Sequence, residues 1–158
     1  MEIQRLNRTD PERIFMTFKN SYSTASLTPG QWAAHDVTTD QDGVGITKPA
    51  ARNRAHIAGV VNHTIAHNGY GLVQVWGFRA DARCLGGTGD GTSKLSAGTP
   101  MHFNTSGFAA RAFAATTGAV KADYGHKVCG FAMVAANTAA IATQAGTSGE
   151  YKVMITCL

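Results

Sequence analysis

Ile57–Phe78 reads IAGVVNHTIAHNGYGLVQVWGF. An apolar run, Ile57 to Val61, leads to a polar break at His67-Asn68-Gly69. An alternating segment follows, with Tyr70, Leu72, Val73, Val75 and Trp76 around Gln74. Asn68-Gly69 is a turn signal because both residues tolerate positive φ. The stretch therefore reads as two β-strands joined by a short connection.

The same chemistry recurs on both sides of it. Arg13 to Asn20, RIFMTFKN, alternates Ile14, Met16 and Phe18 on one face with Phe15 opposite, and reads as a first strand. Thr28-Pro29-Gly30 fits a type II turn, with Pro at its second position and Gly at its third. Gln31 to Val37 reads as a short strand carrying Trp32, and Asp40-Gln41-Asp42-Gly43 as a turn. Val44 to Lys48 is a strand stopped by Pro49. Beyond the central unit, Ala82 to Leu85 is a short strand before the Gly-rich run 86–91. Gly98-Thr99-Pro100 turns into a strand over Met101 to Phe103. Gly107 to Ala115 leaves helix and loop both open. Val128 to Ala135 reads as a buried strand, and Tyr151 to Leu158 as a last alternating one.

Short strands with turn signals every 8–12 residues imply an all-β fold. The expectation is a single compact barrel or sandwich of short antiparallel strands with Gly-rich loops. It occupies 13–158 behind an extended N-terminal arm, 1–12. Phe18, Val60, Leu72, Val75, Trp76, Phe131, Val153 and Ile155 are the expected core. There is also an internal echo. Gly59-Val60-Val61 leads to GYGLVQV over 69–75, and Gly130-Phe131-Ala132 leads to GEYKVMI over 149–155. Two β units closing one barrel would give this pattern, and so would chance similarity of strand chemistry.

Composition narrows the function classes. The chain has 158 residues, enough for one domain with a real core. Only 15% of residues are charged, against roughly 25% in an ordinary soluble domain, which implies a surface that is largely polar-neutral or covered by a partner. The net charge of +4 is dispersed except for Arg5, Arg8 and Arg13 and the pair Arg52 and Arg54. No continuous basic stripe suggests direct nucleic-acid binding. Cys84, Cys129 and Cys157 show no C-x-x-C spacing, which suits free thiols in a reducing compartment. Neither a signal peptide nor an apolar span of 18 residues is visible, so no membrane partner is expected.

The candidate chemical motifs are weak. His63 and His67 form H-x-x-x-H, but on a strand that spacing sets them roughly 13 Å apart, too far for one metal. His35-Asp36 and His102 could serve a hydrolytic triad, yet no G-x-S-x-G elbow is present, and Cys129 sits in an apolar strand where thiols are inert. The run from Gly86 to Lys94 misplaces the lysine of a phosphate loop and lacks the following helix. The acidic residues Asp40, Asp42, Asp81 and Asp90 lack calcium-loop spacing. Trp32, Tyr70, Trp76, Phe78, Phe103, Phe108, Phe113 and Phe131 could stack on bases, but too few cations interleave them, and core packing is the simpler role. The sequence thus leads to no expected catalytic residue, cofactor or metal.

Several segments resemble small decoration proteins of tailed-phage capsids. The resemblance rests on Gly59-Val60-Val61, Ile65-Ala66 and GYGLVQVWG over 69–77. Phe18-Lys19-Asn20 with Thr28-Pro29-Gly30 precede them, Val44 to Pro49 follows in order, and Ala82-Arg83-Cys84-Leu85 comes after. It covers roughly 13–104, judged by the order of these hairpin motifs. It implies a non-enzymatic virion protein on the capsid exterior, made in the host cytoplasm. Such a protein binds the major capsid protein, as a homotrimer, and strengthens the shell. Arg5, Arg8, Arg13, Arg52 and Arg54 become candidate contacts to capsid carboxylates. The alternatives are a phage tail, neck or fibre component and a nucleic-acid-binding β-barrel, with an enzyme the weakest.

Overall fold

The computed structural model describes residues 12–39, 42–50, 56–85, 97–103, 110–112, 128–133 and 148–157. Among them there is no helix, and nine strands join one sheet. They are β1 (Arg13–Asn20), β2 (Trp32–His35), β3 (Gly45–Thr47), β4 (Ile57–Val61), β5 (Tyr70–Leu85), β6 (Pro100–His102), β7 (Ala110–Ala112), β8 (Gly130–Ala132) and β9 (Ser148–Thr156). The all-β, barrel-like expectation is borne out. The proposed arm, up to Pro11, lies outside the described residues.

The central unit forms as read. β4 and β5 pair antiparallel, Val60 with Gln74 and Val61 with Val73. Asn68 takes φ +60°, and Gly69 N–H closes the turn on Ala66 O at 2.9 Å. Thr28-Pro29-Gly30 also behaves as expected: Gly30 has φ +77°, and Gln31 N–H donates to Thr28 O at 3.2 Å. The 107–115 segment, left open between helix and loop, is neither where it is described, since Ala110–Ala112 is strand β7. Ala82 to Leu85 is not a separate strand. It is the far end of β5, which runs unbroken through Gly77 and a bulge between Arg79 and Ala82.

β5 is the shared staff of two pairing cycles. Its first half pairs with β1 on one edge and β4 on the other, and β1-β3-β2-β4-β5 closes on itself. Its second half pairs with β7 on one edge and β9 on the other, closing β5-β7-β6-β8-β9. The two cycles have the same connectivity. In each, the first strand pairs parallel with the third and antiparallel with the fifth, and the other three pairings are antiparallel. The sequence echo falls on equivalent places. Val61 pairs with Val73, and Ala132 pairs with Val153. A Cβ on Gly59 would strike Gln74 O, and one on Gly130 would strike Met154 O. Gly59 and Gly130 are thus the close-approach glycines of two like units, each against the strand that follows it.

The buried residues form two clusters. One contains Phe18, Leu27, Ala33, Ile46, Ala58, Val61, Ile65, Val73 and Val75 and belongs to the first cycle. The other gathers Met101, Phe103, Ala110, Cys129, Ala132, Val153 and Ile155 with Ala82 and Cys84 of β5. Trp32 and Ala34 of β2 and Ile57 and Val60 of β4 also join this second cluster. The β2–β4 pair is therefore a wall with apolar side chains on both faces, which explains why IAGVV is a continuous run rather than an alternating one. Five of the eight expected core residues are buried. Leu72, Trp76 and Phe131 are not, being 40%, 37% and 39% exposed. Val73 and Val75 occupy the inner face of β5, and successive residues on a strand point to opposite faces, so Leu72 and Trp76 must face out.

Loops are tied to this frame by buried polar groups. Asn20 donates from Nδ2 to Ala25 O and Ile65 O, both at 2.9 Å, and accepts Tyr22 N–H on Oδ1. Asp36 ends β2 as an anchor. Its Oδ1 accepts the N–H groups of Thr38 and Thr39 at 2.9 and 3.0 Å and the Thr38 hydroxyl at 2.9 Å, while Oδ2 accepts the Ser21 hydroxyl at 2.7 Å. Burial alone pushes this carboxyl up, but the hydrogen bonds outweigh it and hold the pKa at about 2. A carboxyl with a depressed native pKa contributes stability that is complete above its unfolded value and fades as pH falls through the folded one. Urea midpoints of the wild type should therefore decline between about pH 3.8 and about pH 2. Asp36→Asn should flatten that segment of the profile; an unchanged acid limb would show that the anchor contributes nothing.

Candidate functional site

The outer surface of the β1–β5–β9–β8 sheet carries the most unusual chemistry in the molecule. On it Leu72, Trp76, Phe131 and Met133 are 37–44% exposed and Tyr70 is 64% exposed, while Ile14, Phe15 and Met16 are 37–47% exposed on the two faces of β1. Pairing sets several of them in rows. Ile14 lies beside Trp76, which lies beside Thr156. Phe78 lies beside Met154, which lies beside Phe131. Single exposed apolar residues need no explanation, but aromatics and methionines gathered on one sheet face mark an interaction surface. β5 supplies this face because its inner positions are filled by Val73 and Val75, leaving its largest side chains outside.

One polar cleft lies near it. Arg79 is only 5% exposed. Its Nε is 2.7 Å from Asp81 Oδ1, Nη2 donates to Asp81 Oδ2 at 3.1 Å, and Nη1 donates to Asn62 Oδ1 at 3.1 Å. Gln74, also buried, donates from Nε2 to Trp76 O and Phe78 O at 3.1 and 3.0 Å. The cleft bounded by Arg13, Asn62, Gln74, Arg79, Ala80 and Asp81 holds about 230 Å³, below the roughly 300–1,000 Å³ of small-molecule sites. A buried cation paired this closely stabilises the β5 bulge around Ala80-Asp81. Gly30 packs its backbone against Asp81 O, and Arg83 N–H donates to Gly30 O at 2.8 Å.

The structure separates the residues that the sequence offered for chemistry. His63 and His67 are exposed on the loop between β4 and β5. His35 packs edge-on against Phe18, with ring centroids 5.4 Å apart, and Asp36 is committed to its loop. His102 is buried on β6. No group of three or more His, Cys, Asp or Glu side chains among the described residues could hold a metal ion. The three cysteines are free thiols. Cys84 is pushed up to about 12 by burial, so its thiolate is unavailable at neutral pH. Asp40, Asp90 and the 86–94 run lie outside the described residues.

Of the five candidate arginine contacts, Arg5, Arg8, Arg52 and Arg54 fall outside the described residues. Arg13 is exposed at the first position of β1, at the rim of the Arg79 cleft and next to Ile14, Phe15 and Met16. The apolar face itself was missed by sequence reasoning. Its signal was present in the parity of β5, since Leu72 and Trp76 cannot share a face with Val75. Compared with family models, curated proteins and solved structures, the chain matches none.

Proposed function

We propose that this protein is a non-enzymatic structural component of a phage virion that binds the outer surface of the capsid, contacting the major capsid protein. The observation that carries the reading is the exposed apolar surface on β5 and β8, Leu72, Trp76, Phe131 and Met133. A folded protein surface is the partner that such a face suits, because aromatic and Met side chains give large contact area at low entropic cost. The resemblance of the β4–β5 unit to capsid decoration proteins supplies the identity of that partner. The low charge content agrees with a chain whose surface is partly covered in use. Arg13, with Arg5 and Arg8 ahead of it, adds cations that can pair with capsid carboxylates.

Purified head shells test this. The double variant Leu72→Asp, Trp76→Asp places two charges on the face without touching either buried cluster. It should keep its circular dichroism and lose shell binding by at least about a hundred-fold, the scale of two central contacts. Deletion of 1–11 should weaken binding by a smaller factor. Undiminished binding by the double variant would remove the face from the interface.

A further inference from the structure

Among the described residues, β1 is paired along one edge and open along most of the other. Asn20 turns its backbone toward the β5 side, donating to Gly69 O at 2.9 Å and accepting Asn68 N–H at 2.8 Å. Lys19 turns the opposite way and donates to Val44 O at 3.0 Å. Backbone groups alternate in direction along a strand. Phe18 and Met16 therefore face β5, and Thr17, Phe15 and Arg13 face away. β3 covers that second edge only at Lys19 and Asn20. Among the described residues, Arg13, Phe15 and Thr17 have no ladder partner there.

The side chains of this segment are exposed too. Every residue from Arg13 to Thr17 is exposed, on both faces of the strand, and Ile14, Phe15 and Met16 are among them. Natural edges are usually blunted by Pro, by charges within the strand or by a bulge. From Ile14 to Phe18 there is no Pro and no charge. The register shift near Ile14 places its extra residue, Val75, on β5 rather than on β1. An apolar strand with an open edge is a template for another strand.

We propose that this edge pairs with the same edge of a second copy of the chain, antiparallel, about a two-fold axis through Phe15. The length of the free edge fixes that register. Lys19 is already taken by β3, and Pro11, which has no N–H to give to a ladder, stands just ahead of Glu12. The segment between them is symmetric about Phe15. Phe15 then meets its own mate, and Arg13 meets Thr17 of the second copy, so each outward-facing N–H and C=O finds a partner. Ile14 falls opposite Met16, and no like charges face one another. An isologous contact of this kind closes after two copies. The pairing stands independently of the capsid reading, and it replaces the three-fold association that the resemblance implies.

Light scattering and amide hydrogen exchange on the free, full-length protein test the pairing. The expected mass is twice that of the 16.6 kDa chain, with Phe15 and Thr17 amides protected more strongly as concentration rises. Thr17→Pro deletes a donor on the open edge and none toward β5. It should weaken the dimer by about ten-fold or more, the worth of the lost hydrogen bonds, with an unchanged far-UV spectrum. Met16→Lys keeps every backbone donor but charges the apolar seam, and should also dissociate it. A monomer at all concentrations would overturn the proposal, whether those amides exchange freely or are covered by the chain's own residues. So would a three-copy mass, or a dimer indifferent to both variants.

Discussion

Trp32→Ala is expected to lower the free energy of unfolding by about 3–5 kcal/mol, the usual range for emptying a buried aromatic site. Trp32 is wholly buried in the β2–β4 wall. Its ring meets Phe103 edge-on with centroids 5.9 Å apart, and its Nε1–H donates to Arg83 O at 2.9 Å. Truncation leaves a cavity between the two cycles and orphans a carbonyl on β5, so both packing and polar satisfaction are lost together. Trp76 provides the contrast. It has the same side chain but is 37% exposed on the outer face, so Trp76→Ala should cost less than half as much. Urea unfolding of the two variants side by side measures the difference. Equal losses would mean that Trp76 is as deeply embedded as Trp32 and that the faces of β5 are misassigned.

Gly59→Ala is expected to be as damaging, although it adds only a methyl group. Gly59 has φ +151°, and a Cβ there would strike Gln74 O and lie 2.9 Å from Val73 Cγ1. The strained backbone and the overpacked wall each cost about 1–3 kcal/mol. β4 is fixed by apolar packing on both of its faces, so it cannot move away cheaply. Gly43→Ala isolates the backbone part. Gly43 has φ +82° but no neighbour within 4 Å, and its loss should stay near 1–2 kcal/mol. If the two substitutions cost the same, the close approach of β4 to β5 contributes nothing beyond conformational strain.

The strands were legible where local chemistry decides structure. RIFMTFKN is β1 residue for residue, and the alternation in YKVMIT marks most of β9. Thr28-Pro29-Gly30 and Asn68-Gly69 form turns because Pro29 restricts φ and because Gly30 and Asn68 accept the positive φ that those turns require. Alternation alone could not say which face of β5 is inside, since both carry apolar residues. Large side chains suggested Leu72 and Trp76, but the first cycle admits Val73 and Val75. Strand continuity was equally hidden. Ala82 to Leu85 read as a separate short strand, yet Gly77 pairs with both Arg13 and Ile155 and lets one strand serve two cycles.

The candidate site was less legible, for a different reason. Arg13 was singled out for its charge, and it does stand at the head of an exposed strand. What makes β1 unusual is that no described residue pairs with its outer edge ahead of Lys19, and periodicity carries no information about which strands pair. The internal echo was visible as residues, but its meaning came from register: Gly59 and Gly130 approach the same carbonyl position in two successive units.

Co-sedimentation of the full-length chain with intact, DNA-filled heads bears most directly on what this protein is for. Binding should saturate at a simple ratio to the major capsid protein and raise the temperature at which heads release DNA. A chain that stays in the supernatant at micromolar concentration, or that pellets only with purified tails, would contradict the capsid assignment.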